Sequence, residues 1–163
     1  ITWSLVGSEM CIRDRDKVPL AKNIPTLELP IEGAPSATGM GNPHCTFFVE
    51  DAEKINLEEM GPKFENHPLF PERTNVQFAS ITAPDRIRMR VWERGVGVTL
   101  ASGSSSCATA VSANRRGLTG KNVQIELDGG ILDINWREDG VWMTGPTMQV
   151  FSGHFSDEFL KSL

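Results

Sequence analysis

SSSCATAVSANRRG, residues 104–117, follows a loop of small residues, Ala101-Ser102-Gly103, and ends on a glycine. Serine at the start suits an N-cap and Gly117 suits the left-handed residue that closes a helix, so the spacing predicts a helix over 104–116. Ala108, Thr109, Ala110, Val111, Ser112 and Ala113 leave that helix almost no polar stripe. A helix of this kind is buried on most sides, and other elements must surround it.

Those elements read as strands. Downstream, 123–127, 131–136, 141–144 and 148–151 are short apolar runs separated by Gly, Pro or Asp, with a turn at Glu138-Asp139-Gly140. Upstream, 26–32 and 45–50 read the same way, the second opened by a Gly-Asn-Pro turn. Asn56 with Glu59 three residues on is a capping-box variant, and Leu57, Met60 and Phe64 share one face of a short surface helix that His67-Pro68 ends. Val76, Phe78 and Ser80 alternate with Asn75, Gln77 and Ala79, and Ile87, Met89 and Val91 with Arg86, Arg88 and Arg90. Two half-buried strands follow, with the arginines on the solvated face. The sum is one α+β domain of strands wrapped around a central helix.

The 163 residues, 39% hydrophobic and 23% charged, are enough to bury a core. Sixteen Lys+Arg against 21 Asp+Glu give a net charge of -5 without a basic run, which argues against nucleic acid and anionic membrane surfaces as partners. No apolar stretch approaches the roughly 20 residues that span a bilayer. Cys11, Cys45 and Cys107 are odd in number and lack a CxxC pair, which suits neither a disulfide framework nor a metal site. Free thiols in a reducing, cytoplasmic compartment are expected. Residues 1–15 lack the local consistency of the rest, with no sustained period, cap or strand alternation. Within them LVGSEMCIRDR, 5–15, resembles the conceptual translation of a sequencing-library adapter, and residues 1–15 are set aside, the alternative being a genuine short N-terminal strand and turn. The segment carries two acids and two bases, so the net charge is unaffected.

Three segments concentrate chemistry. Gly41-Asn42-Pro43-His44-Cys45 brings a carboxamide, an imidazole and a thiol within four positions. Turn formation alone explains Asn-Pro; His44 is either functional or a satisfied half-buried residue, and Cys45 reads as core. Glu93-Arg94 closes a strand and enters the glycine-rich Gly95-Val96-Gly97, where an acid–base pair is commonly structural. Ala101-Ser102-Gly103-Ser104 opens the buried helix, where free N–H groups and the positive end of the macrodipole favour a carboxylate or lower a nucleophile's pKa. The lysine of a phosphate loop and the GxSxG of a nucleophile elbow are both absent.

Taken in order, Gly-Asn-Pro-His at 41–44, Glu-Asn-His-Pro-Leu-Phe-Pro-Glu-Arg-Thr-Asn at 65–75, Asp-Arg-Ile-Arg-Met-Arg-Val-Trp-Glu-Arg-Gly-Val-Gly at 85–97, the small-residue loop and Met-Thr-Gly-Pro at 143–146 closely resemble the C-terminal half of diaminopimelate epimerase. The resemblance covers 16–163. It implies a diaminopimelate epimerase-like fold of antiparallel strands around a central helix, and a cofactor-independent epimerase interconverting LL- and meso-diaminopimelate. In that family two such domains close over the substrate, and one thiolate removes the α-proton while a second thiol delivers one from the opposite face. It also implies a homodimer.

Carried over by position, Asn42 and Asn75 match carboxamides on the substrate's distal amino-acid group, and Glu93 and Arg94 match a pair gripping the same end. Gly103 and Ser104 match donors to the reacting α-carboxylate, and His44 matches a residue beside the reacting centre. Ser102 stands where the family has its second catalytic cysteine, a hydroxyl in place of a thiol. The N-terminal domain with the first cysteine is missing. Two other readings stand beside this one: an epimerase or dehydratase for another amino acid, and an inactive half-domain. Without its other half the site is expected to be an exposed patch around Asn42, Asn75 and Gly103, too open to hold a ligand firmly.

Overall fold

In the computed structural model, which describes residues 4–6 and 18–162, the helix at the centre is α2 (Gly103–Arg115). Its end is a Schellman motif: Gly117, at φ 71°, donates to the Asn114 carbonyl, and Leu118 donates to that of Ala113. Ser105, Ser106 and the residues from Ala108 to Ala113 are all buried, with Ala110 and Val111 only 3% and 2% exposed. Small side chains make this possible, because sheet strands approach the helix from several directions at once.

Among the described residues the sheet contains β1 (Ser4–Val6), β2 (Ser36–Gly39), β3 (Pro43–Phe48), β4 (Asn75–Ala83), β5 (Arg86–Glu93), β6 (Gly97–Thr99), β7 (Asn122–Leu127), β8 (Gly130–Arg137) and β9 (Gly140–Thr144). They run in the order β1-β9-β8-β7-β5-β4-β3-β2, with β6 on β5. The α+β class stands, but the sheet is mixed: β3–β4 and β5–β7 are parallel. Parallel neighbours need a crossover, and helices supply both. The connection from β3 to β4 holds α1 (Leu57–Glu65), and the one leading to β7 holds α2. α2 contacts β2, β3 and β4 as well as β7, β8 and β9, so the curled sheet encloses it.

Two apolar clusters result. Ala110, Val111 and Ala113 pack with Ile87, Met89, Val91, Ile125 and Ile134 around α2. On the other face Phe64 of α1 meets Phe47 at 4.4 Å between ring centroids, and Phe47 stacks on Phe78 at 4.9 Å. β4 lies between the clusters, so its residues 75–80 are buried on both faces rather than on one. Neither are Arg88 and Arg90 simply solvated. Arg88 donates to Glu53 at 2.6 Å and pairs with Asp128, and Arg90 donates to the Ile55 carbonyl at 3.1 Å, which draws both side chains onto the sheet.

Other expectations are corrected. Residues 26–32 form a doubled-back loop, with Leu29 N donating to Pro35 O and Ala37 N to Thr26 O; Pro25, Pro30 and Pro35 lack the donors a ladder requires. Residues 148–151 belong to no strand and are exposed. Unanticipated elements are β2, β6 and a short C-terminal helix, α3 (Asp157–Lys161), capped by Ser156. Ser4–Val6, in the segment set aside, pairs antiparallel with β9, whose free edge accepts an extended backbone of almost any sequence. The remainder of 1–17 lies outside the described residues.

Candidate active site at the opening of the central helix

Ser102 occupies the N-cap of α2 with extended backbone, φ -152° and ψ 114°, but its hydroxyl does not cap. It donates instead to Ser105 Oγ at 2.9 Å. The opening amides of the helix therefore receive nothing from the Ser102 side chain and point, with the macrodipole, at whatever occupies the space ahead of Gly103. Met143 closes in behind: a Cβ on Gly103 would lie 2.9 Å from its Cε.

β3 delivers His44 and β4 delivers its ladder neighbour Asn75. His44 is fully buried and bonded at both ring nitrogens, Nε2 with Asn42 Oδ1 at 2.8 Å and Nδ1 with Gln77 Nε2 at 3.0 Å. As oriented, the asparagine oxygen requires a proton on Nε2 and the glutamine amide leaves Nδ1 as acceptor. Burial, reinforced by the charge of Arg94, lowers its pKa to about 3, so the ring is neutral at physiological pH. The ring keeps its single proton on Nε2, committed to Asn42. Cys45, next in sequence, faces the apolar cluster, and burial pushes its thiol pKa up, so it has the character of a core residue.

Asn75 is 6% exposed and used at both ends of its carboxamide: Nδ2 donates to the Pro43 carbonyl at 2.9 Å and Oδ1 accepts from Arg94 N at 3.0 Å. It clips the strand bearing His44 to the turn bearing Arg94. The Arg94 guanidinium donates to the Glu72 carbonyl at 2.9 Å and remains half-buried, like Glu93. The open patch expected here is thus only partly present. Asn42, Gly103 and Ser104 are half-exposed, whereas His44, Asn75 and Ser102 form a closed inner wall.

Gln77, Ser105 and Glu65 escaped the sequence reading. Gln77 is fully buried and donates to Ser105 Oγ at 3.0 Å as well as to His44, while accepting from Thr46 at 3.2 Å. Glu65, 5% exposed, accepts from Trp92 Nε1 at 2.6 Å, Gly95 N at 2.9 Å and Arg73 at 3.1 Å, fixing the turn that follows β5. A polar residue alternating within a strand looked solvated; the signal lay in β4 being covered on both sides. Among the described residues no cluster of His, Cys, Asp and Glu could hold a metal, and no helix is long and apolar enough to cross a membrane.

Residues 36–150 match the diaminopimelate epimerase family model. The chain belongs to the diaminopimelate epimerase family. It is 53% identical over 152 residues to a diaminopimelate epimerase of Rhodospirillum centenum, covering 90% of this chain and 52% of that one. To that of Acidiphilium cryptum it is 51% identical over 151 residues, covering 89% and 54%. This member of the diaminopimelate epimerase family thus spans about half the length of those relatives. A solved structure of a "predicted epimerase" from Pseudomonas aeruginosa shares the fold at TM-score 0.50 and 19% identity, over 70% of this chain and 42% of that one.

Proposed function

We propose that the full protein interconverts LL- and meso-diaminopimelate without a cofactor, and that this chain is the half that reads the substrate's distal amino-acid centre and carries one of two proton-transfer positions. The observation that supports this most strongly is that His44, bonded to Asn42, lies 3.5 Å from Ser105 Oγ at the start of α2, on the strand that Asn75 clips to Arg94. An amino-acid α-hydrogen is weakly acidic, so without an electron sink fixed donors must stabilise the charge that develops on the carboxylate. The amides of Gly103 and Ser104 are aimed for that task. Arg94 suits the distal carboxylate, Glu93 the distal ammonium, and Asn42 and Asn75 the remaining polar atoms. Neutral His44 keeps Asn42 in place. The same four distal contacts argue against another amino acid as substrate.

Position 102 is where a proton is exchanged with the α-carbon. A serine there is a poor acid or base, and its hydrogen is committed to Ser105, which favours a chain that binds diaminopimelate by itself without turning it over. Its partners are then the substrate, the other half of the protein and, in the full-length form, a second copy, in the cytoplasm. Isothermal titration with diaminopimelate beside deuterium wash-in at the α-carbon tests the binding claim, with binding and no exchange expected. Joined to a compatible N-terminal half, the Ser102→Cys protein should epimerise roughly 10² to 10⁴ times faster than the serine form. Equal rates would refute the assignment of position 102.

A further inference from the structure

Ser105 is the third residue of α2, fully buried, and matches no role carried over from the family. Its oxygen accepts from Ser102 Oγ at 2.9 Å and from Gln77 Nε2 at 3.0 Å, which fills both acceptor positions of a hydroxyl. Its own hydrogen is left with His44 Nδ1 at 3.5 Å, an acceptor already taking the other N–H of Gln77. That hydrogen is poorly held and free to turn. Gln77 is not, because Thr46 and His44 fix its carboxamide from either side. When the side chain at 102 loses its proton it stops donating and becomes the strongest acceptor in reach, so the Ser105 O–H swings onto it while Gln77 continues to donate to the Ser105 oxygen.

We propose that Ser105, anchored by Gln77, is a positioning residue for position 102, its hydroxyl turning from acceptor to donor when the side chain there is deprotonated. The proposal rests on the reading of 102 as a proton-transfer position. No proton passes to Ser105 or His44: it leaves position 102 for substrate or solvent, and only the Ser105 O–H torsion changes. The helix end lowers the pKa at 102 from outside, and this relay adds to it from within the fold. Among the described residues the titratable group that meets Ser105 is His44 on β3, itself acted on by the charge of Arg94 after β5, and the variants below leave His44, Glu93 and Arg94 in place.

The Ser102→Cys chain makes the effect measurable as the pKa of the introduced thiol, from the pH dependence of thiolate absorbance with the unsubstituted chain subtracted to cancel Cys11, Cys45 and Cys107. Adding Ser105→Ala should raise that pKa by about one unit, near a tenfold loss of thiolate at neutral pH. Adding Gln77→Met instead, which leaves the hydroxyl but frees it, should raise it in the same direction by less. An unchanged pKa in the Ser105→Ala chain overturns the proposal, and a rise there that Gln77→Met does not share overturns the part given to Gln77. Should Ser105→Ala fail to fold, Gln77→Met decides alone, and an unchanged pKa in it overturns the proposal. The readout needs no turnover: a Ser105-dependent pKa in a protein whose fused form fails to epimerise would sink the functional reading and leave this one standing.

Discussion

Acidification should destabilise this chain through His44 in particular, over a window set by its burial. The folded pKa is about 3, against 6.5 for an unperturbed imidazole, so the unfolded chain takes up the proton first as pH falls. The contribution of His44 to stability is therefore complete above about pH 6.5 and is lost progressively between that value and about 3. The slope is about 1.4 kcal/mol per pH unit, which accumulates to roughly 2 to 3 kcal/mol by about pH 4.5. His44→Gln supplies the control, since a carboxamide reaches toward Asn42 and Gln77 but does not titrate. Urea unfolding followed by tryptophan fluorescence, at several pH values from about 7.5 to 4.5, gives the two stability curves. Their shared carboxylate titrations cancel in the difference, which should close by about 2 to 3 kcal/mol toward the acid end. Parallel curves would show that the folded protein accepts a proton at His44 without penalty, and the neutral, doubly bonded ring would have to be abandoned.

Gly61→Ala should cost about 1 to 3 kcal/mol, because the new Cβ would lie 2.4 Å from Cγ and Cδ2 of Trp92, whose indole is held by Glu65; a thermal melt matching the parent would refute the close packing of α1 on β5. Glu65→Ala should cost about 2 kcal/mol or more by stranding Trp92 Nε1 and Gly95 N, and a denaturation midpoint unmoved from the parent's would show that both find other acceptors. Cys45 should resist a thiol reagent until the chain unfolds, since it is fully buried with a raised pKa, and mass spectrometry of the labelled native protein should find it unmodified.

The central helix was legible because burial leaves a mark on composition: a run of Ala, Thr, Val and Ser with no charge from 104 to 113 has few other uses. Both of its ends were legible too, though Ser102 turned out to stand at the cap without capping. What composition could not convey was how many faces of a strand are covered. Gln77 and Ala79 alternate with apolar residues just as a solvated face would, and only the presence of α2 on one side and α1 on the other makes that face an interior one. The strand readings at 26–32 and 148–151 failed for a related reason, since β-propensity describes a residue's fitness for a sheet and is silent on whether a neighbour is there to pair with it. At the site, Ser102, Gly103 and Ser104 open α2, and Glu93 and Arg94 close β5 and enter the turn after it, as their places in the sequence require. The groups that hold them, Gln77, Ser105 and Glu65, belong to no motif, because the partners that matter most lie far off in sequence and are joined only by the fold, as with Gln77 and Ser105, 28 apart, or Glu65 and Gly95, 30 apart.

Glu65 gives the molecule a form of remote control over its own charge placement. The guanidinium of Arg94 sits where it does because a carboxylate on a different element, 30 residues earlier than Gly95, grips the adjoining turn by its backbone. Drift in α1 that moves that carboxylate by a fraction of an ångström would be felt at Arg94, although no residue of its turn had changed. Substitutions in α1 and at Arg94 should accordingly be non-additive, each setting the tolerance for the other, so that libraries varying the turn alone would explore only the part of the landscape that the existing helix permits.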